Sequence, residues 1–143
     1  MLVRQFGMED ALEKQLLSYS HGMRQKMMVI GALLPDPDVW ILDEPMVGLD
    51  PRAARILKDS MRAHADAGRT VLFSTHVLDV AERVVDRVGV IARGELLFQG
   101  SVEDLHTRFS ADESLEDMFL ELTEEGSPFR KVSASLPVAK FPI

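Results

Sequence analysis

The chain has 143 residues, 46% of them hydrophobic and 27% charged, a length that carries one modest core and not two full domains. Its 16 bases are scattered among 23 acids, for a net charge of -7, so the concentrated Lys/Arg surface that grips nucleic-acid phosphates or an anionic membrane is lacking. With no cysteine, disulfides and thiolate metal sites are excluded.

In chain order, the opening Met1 to Gly7 has none of the basic, apolar and small-residue regions of a secretory signal, and a cytosolic protein is expected. Met8 to Leu17 reads as a helix with Leu12, Leu16 and Leu17 on one stripe, running into the capping residues Ser18-Tyr19-Ser20. A second helix is expected from His21 to about Leu34, stopped by Pro35-Asp36-Pro37-Asp38. It contains the longest apolar run, Met27 to Leu34, far short of the roughly 20 residues that cross a bilayer. Val39-Trp40-Ile41-Leu42 has the pattern of a strand buried on both faces, and it ends in Asp43-Glu44-Pro45. Asp50-Pro51 starts a helix that runs to Ala67, before Gly68. Thr70 to Ser74 is a second buried strand, and strand, helix, strand at these lengths is a crossover unit that makes a parallel pair. From Val77 a helix places Val77, Val80, Ala81, Val84, Val85 and Val88 on one face, although Val88 also suits the start of the next strand. Gly89 to Ala92 and Glu95 to Phe98 form a hairpin around Arg93-Gly94. Ser101 to Asp104 opens a short helix with capping-box chemistry, and Ser114 to Thr123 forms another. After Gly126 the pattern fades, and Ser127 to Ile143, with three prolines, reads as a tail.

The chemistry starts at Asp43-Glu44. An apolar strand whose C-terminal edge presents Asp then Glu is how nucleotide hydrolases hold magnesium and aim water. Solvated acids at a strand end give the same two residues, and the pair alone does not choose between the readings. Its company does: Ser18-Tyr19-Ser20-His21-Gly22-Met23-Arg24-Gln25-Lys26 precedes the strand, Met46-Val47-Gly48-Leu49-Asp50-Pro51 follows it, and Ser74-Thr75-His76 closes the second strand.

In that order and at those spacings the chain resembles the ATP-binding subunits of ABC transporters, with a signature loop, a Walker B strand, a D-loop and an H-loop spread over roughly Met8 to Thr123. The resemblance implies an α/β chain with a partial P-loop NTPase fold, parallel strands with flanking helices. Residues 1–126 would be the C-terminal portion of the ATP-binding domain, with a helical signature region over 1–37, the Walker B, D-loop and H-loop part over 38–126, and a tail over 127–143. It implies ATP and Mg²⁺ as ligands, with Asp43 on the metal through water, Glu44 as the base for the attacking water and His76 contacting both Glu44 and the γ-phosphate. Ser20 and Gly22 would meet ATP held by a second ATP-binding subunit, since a helix N-terminus binds anions. Asp50 would communicate between the two sites of that dimer. Ser20 and Asp50 are also plain helix caps, a role compatible with the other.

The family's usual signature core is Leu-Ser-Gly-Gly-Gln. Here Tyr19, His21 and Met23 replace three of its members, a variation similar to export-type subunits with a Tyr-Ser-x-Gly-Met core. His21, His64 and His106 have no such placement and read as surface residues. Transmembrane permease subunits are the other implied partners, placing the protein on the cytoplasmic face of a membrane without insertion of its own. The transported substrate is not written in this chain, because specificity in the family lies largely in the membrane subunits.

One part of the family pattern is missing. A P-loop needs Gly-x-x-x-x-Gly-Lys-Ser/Thr, because closely spaced amides and a lysine surround the β- and γ-phosphates, yet none of the nine glycines is followed by lysine. The sequence is therefore expected to be a fragment of a transporter ATPase, exposing sheet edge and apolar surface and hydrolysing negligible ATP alone. The alternative is a non-catalytic half-domain that offers its signature loop to an intact ATPase partner.

Overall fold

The computed structural model of the chain describes residues 2–109 and 113–124, which fall into two compact units, Met1–His76 and Val77–Ile143. The expected tail, 127–143, lies outside the described residues.

The first unit opens with a short helix α1, Leu2–Gln5, and single turns at Glu9–Ala11 and Leu16–Ser18, where the apolar spacing predicts one helix over Met8 to Leu17. The leucine stripe does not form a core contact: Leu12, Leu16 and Leu17 are exposed, while Phe6, Met8, Ala11 and Tyr19 are buried. A continuous helix would give the Ala11 carbonyl to the amide four residues on. Here Lys14 N donates to it at 3.0 Å and the buried Tyr19 hydroxyl at 2.7 Å, so the tertiary bond ends the helix. Helix α2, His21–Leu33, follows with Ser20 as its cap.

Strand β1, Val39–Leu42, helix α3, Pro51–Asp66, and strand β2, Thr70–Phe73, form the expected crossover. The strands pair in parallel from Val39↔Thr70 to Leu42↔Phe73. Helix α3 buries Ala53, Leu57, Met61 and His64, a spacing that aligns them on one side of a 3.6-residue helix. Gly68, at φ 82, ends it by donating its amide to Ala65 O at 2.9 Å.

Two expectations fail here. β1 alternates, with Trp40 and Leu42 buried and Val39 and Ile41 exposed, and β2 has no buried residue, so neither strand is covered on both faces. His64 is buried, not on the surface, and its imidazole stacks on the Trp40 indole with ring centroids 3.9 Å apart. The histidine serves as a flat filler between helix and strand, which its polarity hides in the sequence.

In the second unit α4, Leu78–Val84, stops earlier than the valine spacing suggests, and Val88 lies in strand β3, Arg87–Ala92. β3 pairs antiparallel with β4, Glu95–Ser101. Arg93 and Gly94, both at positive φ (53 and 79), make the tight turn between them. Helices α5, Val102–Arg108, and α6, Leu115–Thr123, each begin with a full capping box, Ser101 with Asp104 and Ser114 with Asp117. Val90, Leu97, Phe98, Leu105, Leu115, Met118 and Leu122 form this unit's core. His106 is partly buried and lies 3.3 Å from Glu82, where the sequence suggests a surface residue.

Candidate functional site

Parallel, in-register strands finish at the same edge, and this is what brings together two segments some thirty residues apart. The Ser74 amide donates to Leu42 O at 3.0 Å, the last bond of the strand pair. Beyond it the ladder is replaced by side chains. The Ser74 hydroxyl donates to Asp43 Oδ1 and accepts from the Glu44 amide at 2.9 Å. Glu44 has φ 43, a left-handed conformation that costs a residue with a Cβ about 1–2 kcal/mol. In this conformation its Oε1 lies 2.8 Å from His76 Nδ1. The carboxylate accepts, so Nδ1 carries a proton, and Nε2 is the ring nitrogen left for a further partner. The His76 side chain is 72% exposed and that of Glu44 34%, which leaves the pair open to a ligand from solvent.

A second cluster joins the start of α2 to residues 45–50. Ser20 Oγ accepts the Met23 amide at 3.2 Å, the expected cap of α2. A Cβ on Gly22 would come within 3.0 Å of the Gly48 carbonyl, and the His21 ring occupies the space where a Cβ on Gly48, at φ 78, would stand. Backbone therefore meets backbone where the α2 N-terminus passes the loop. Gln25 Nε2 donates to Pro45 O at 3.4 Å, and Lys26 Nζ lies 2.6 Å from Asp50 Oδ2. Asp50 Oδ1 accepts the Ala53 amide at 2.8 Å. The Lys26 hydrogen bond, with the Ala53 amide second, holds the Asp50 carboxyl below the usual carboxylate range.

The candidate residues thus form two groups. Asp43, Glu44 and His76 gather at the strand ends. Ser20 and Gly22 gather with Asp50 around residues 45–50, the loop that continues directly from Glu44. Ser74, Lys26, Gln25 and Gly48 belong to these networks, yet the sequence assigns none of them a task of its own. For Ser74 the signal was its place one residue past an apolar strand, level with Asp43 once the strands pair in parallel. Register was needed to see it.

Among the described residues no three His, Cys, Asp or Glu side chains form a metal cage. A magnesium ion held by one carboxylate, waters and substrate phosphates requires no such cage, and the donor chemistry at Asp43, a hard carboxylate oxygen at a strand end, fits that ion. Among the described residues no helix is long and apolar enough to cross a membrane.

Comparison with known proteins gives a consistent answer. Residues 2–78 match the family described as AAA domain, putative AbiEii toxin, Type IV TA system. The chain is 39% identical over 125 residues to the ABC-type transporter ATP-binding protein EcsA of Bacillus subtilis, covering 87% of this chain and 51% of EcsA. It is 38% identical over 111 residues to the daunorubicin/doxorubicin resistance ATP-binding protein DrrA of Streptomyces peucetius, covering 78% of this chain and 34% of that one. A solved structure of an ATP-binding subunit of an ABC transporter superposes with a TM-score of 0.80 at 35% identity, over 86% of this chain and 52% of that one. The chain therefore spans about half the length of EcsA and of the solved subunit. With its mixed α/β fold, its parallel strand pair and the ordered loops at their ends, the chain belongs to the ATP-binding domains of the ABC transporter family.

Proposed function

We propose that the chain supplies the Walker B, D-loop, H-loop and signature elements of an ATP-hydrolysing site that powers transport across a membrane, and that a P-loop-bearing polypeptide segment supplies the phosphate cradle this sequence lacks. The observation that carries the proposal is the Glu44–His76 pair at 2.8 Å, beside Asp43 at the end of a parallel strand pair. Solvated strand-end acids have no need of a histidine brought from the neighbouring strand.

The bonds of each residue support a task for it. Asp43 has one carboxylate oxygen committed to Ser74, leaving the other to accept from a water on magnesium. The metal, when bound, neutralises charge on the phosphates. Glu44 has Oε1 engaged by His76 and Oε2 left for the attacking water, whose proton it takes. His76 holds that carboxylate in place and offers its ring to the γ-phosphate. Ser20 and the amides from Gly22 onward, at the start of a 13-residue helix, form a donor surface for the γ-phosphate of ATP on a second ATP-binding subunit. Asp50, tied to α2 through Lys26, links that surface to the loop leaving Glu44. Permease subunits would place the assembly on the cytoplasmic face of the membrane. Export is the favoured direction, on the Tyr19-Ser20-His21-Gly22-Met23 core and on the resistance named for the Streptomyces peucetius relative.

The test is ATP turnover by the chain completed by a P-loop-bearing segment and assembled with a second ATP-binding subunit and the permease. Glu44→Gln in this chain is expected to lower turnover on the order of 10²-fold or more, while the chain alone hydrolyses at background. Turnover indifferent to Glu44 in this chain would instead support the non-catalytic half-domain.

A further inference from the structure

We propose that Ser74 is the positioning residue of the hydrolytic pair, its single hydroxyl holding Glu44 in the left-handed turn that aims its carboxylate at His76 while fixing Asp43 beside it. The proposal rests on the functional reading above for its purpose, though not for its geometry.

The direction of both bonds is forced by the groups. A serine hydroxyl has one proton and two lone pairs. The Glu44 amide can only donate, so at 2.9 Å the hydroxyl is its acceptor, and the one hydroxyl proton is then free for the Asp43 carboxylate, which only accepts when ionised. One atom thereby sets the two consecutive residues that follow the opposite strand. Location explains why a side chain is needed. The strand pairing ends at Leu42↔Phe73, with the Ser74 amide on Leu42 O as the last backbone bond, so the Glu44 amide has run out of ladder. The Ser74 hydroxyl takes the place of the missing carbonyl.

That bond has an energetic task as well. Glu44, at φ 43, lacks glycine's freedom, and the conformation persists only if its surroundings over-determine it. The net contribution of a neutral hydrogen bond is comparable in size with the cost of a left-handed residue that carries a Cβ. Without the hydroxyl the extended conformation regains its advantage. A strand turns its successive side chains to opposite faces, so returning Glu44 to extended backbone removes its carboxylate from His76. Alanine at position 74 breaks this chain of dependence, whereas threonine keeps the hydroxyl.

The experiment uses NMR spectroscopy of the complete chain, labelled with ¹⁵N and ¹³C, without nucleotide. It reads the Glu44 backbone shifts and amide–Hα coupling, which report φ, the ¹⁵N shifts of the His76 ring, and the indole resonance of Trp40, the sole tryptophan. In Ser74→Ala, Glu44 is expected to lose its left-handed signature and the His76 ring shifts to move to those of a Glu44→Ala variant, with Trp40 unmoved. Ser74→Thr should retain the wild-type values. Wild-type Glu44 and His76 signals in Ser74→Ala would overturn the proposal. If Ser74→Ala does not fold, Ser74→Thr and Ser74→Cys decide: a difference at Glu44 and His76, with threonine like wild type, supports it, and identical signals overturn it. None of these readouts involves ATP, so the role of Ser74 and the ATPase reading fail separately.

Discussion

The two faces of the β1–β2 pair make a sharp contrast. One presents Trp40 and Leu42 toward the side covered by α3, whose Leu57 is 0% exposed, and is sealed by the stack of His64 on Trp40. The other leaves Ile41 75% and Leu72 61% exposed, with Val39 alongside. Both faces are apolar in sequence, and parallel sheets are ordinarily covered on both sides. The difference shows that an apolar run sets which residues favour burial, while only the presence of a covering element decides which are buried. The site loops do not depend on the open face: their order comes from bonds across the strand ends and from the α2–loop contacts.

The contrast can be broken most forcefully from the covered side. Leu57→Ala removes the best-buried side chain of α3 and is expected to cost about 2–5 kcal/mol, read as a lower denaturant midpoint. A loss below about 1 kcal/mol would show that α3 does not seal that face. A smaller effect is expected at the helix start. Asp50→Ala removes the cap bond to Ala53 and the partner of Lys26, for about 1 kcal/mol at neutral pH. Because the folded carboxyl is held below its ordinary 3.8, its contribution is complete above that value and vanishes as pH falls through the lower folded one. The gap between wild type and Asp50→Ala should therefore close on acidification below about pH 4, and a constant gap down to pH 2 would contradict the ion-pair and cap assignment. The smallest effect belongs to the open face, where Ile41→Ser should change stability by less than about 0.5 kcal/mol. A larger loss would mean that this face is covered in solution.

Much of the fold was legible because its signals are local. Asp50-Pro51 marks a helix start, Arg93-Gly94 marks a tight turn, and the Ser101 and Ser114 capping boxes announce α5 and α6; each needs only neighbours within a few residues. The failures share the opposite character. Leu12, Leu16 and Leu17 keep helical spacing, but the Tyr19 hydroxyl takes the Ala11 carbonyl and the helix does not form. His64 is polar by type and buried by shape, a property conferred by Trp40 twenty-four residues earlier. At the site, Asp43, Glu44 and His76 were picked out as residue types in order, but Ser74, which bonds to the first two, was not.

The sequence by itself determined the identity and order of the chemical groups: two acids after an apolar strand, a histidine after the next, a capped helix before both, and no glycine-lysine phosphate loop. Those are properties of the chain read along its length. Only the tertiary structure decided which of these groups meet, because pairing β1 with β2 in register is what sets Ser74 level with Asp43 and His76 within hydrogen-bond reach of Glu44. Hydrogen bonds require atoms within about 3 Å, and for residues some thirty positions apart that distance is fixed by strand register and not by composition.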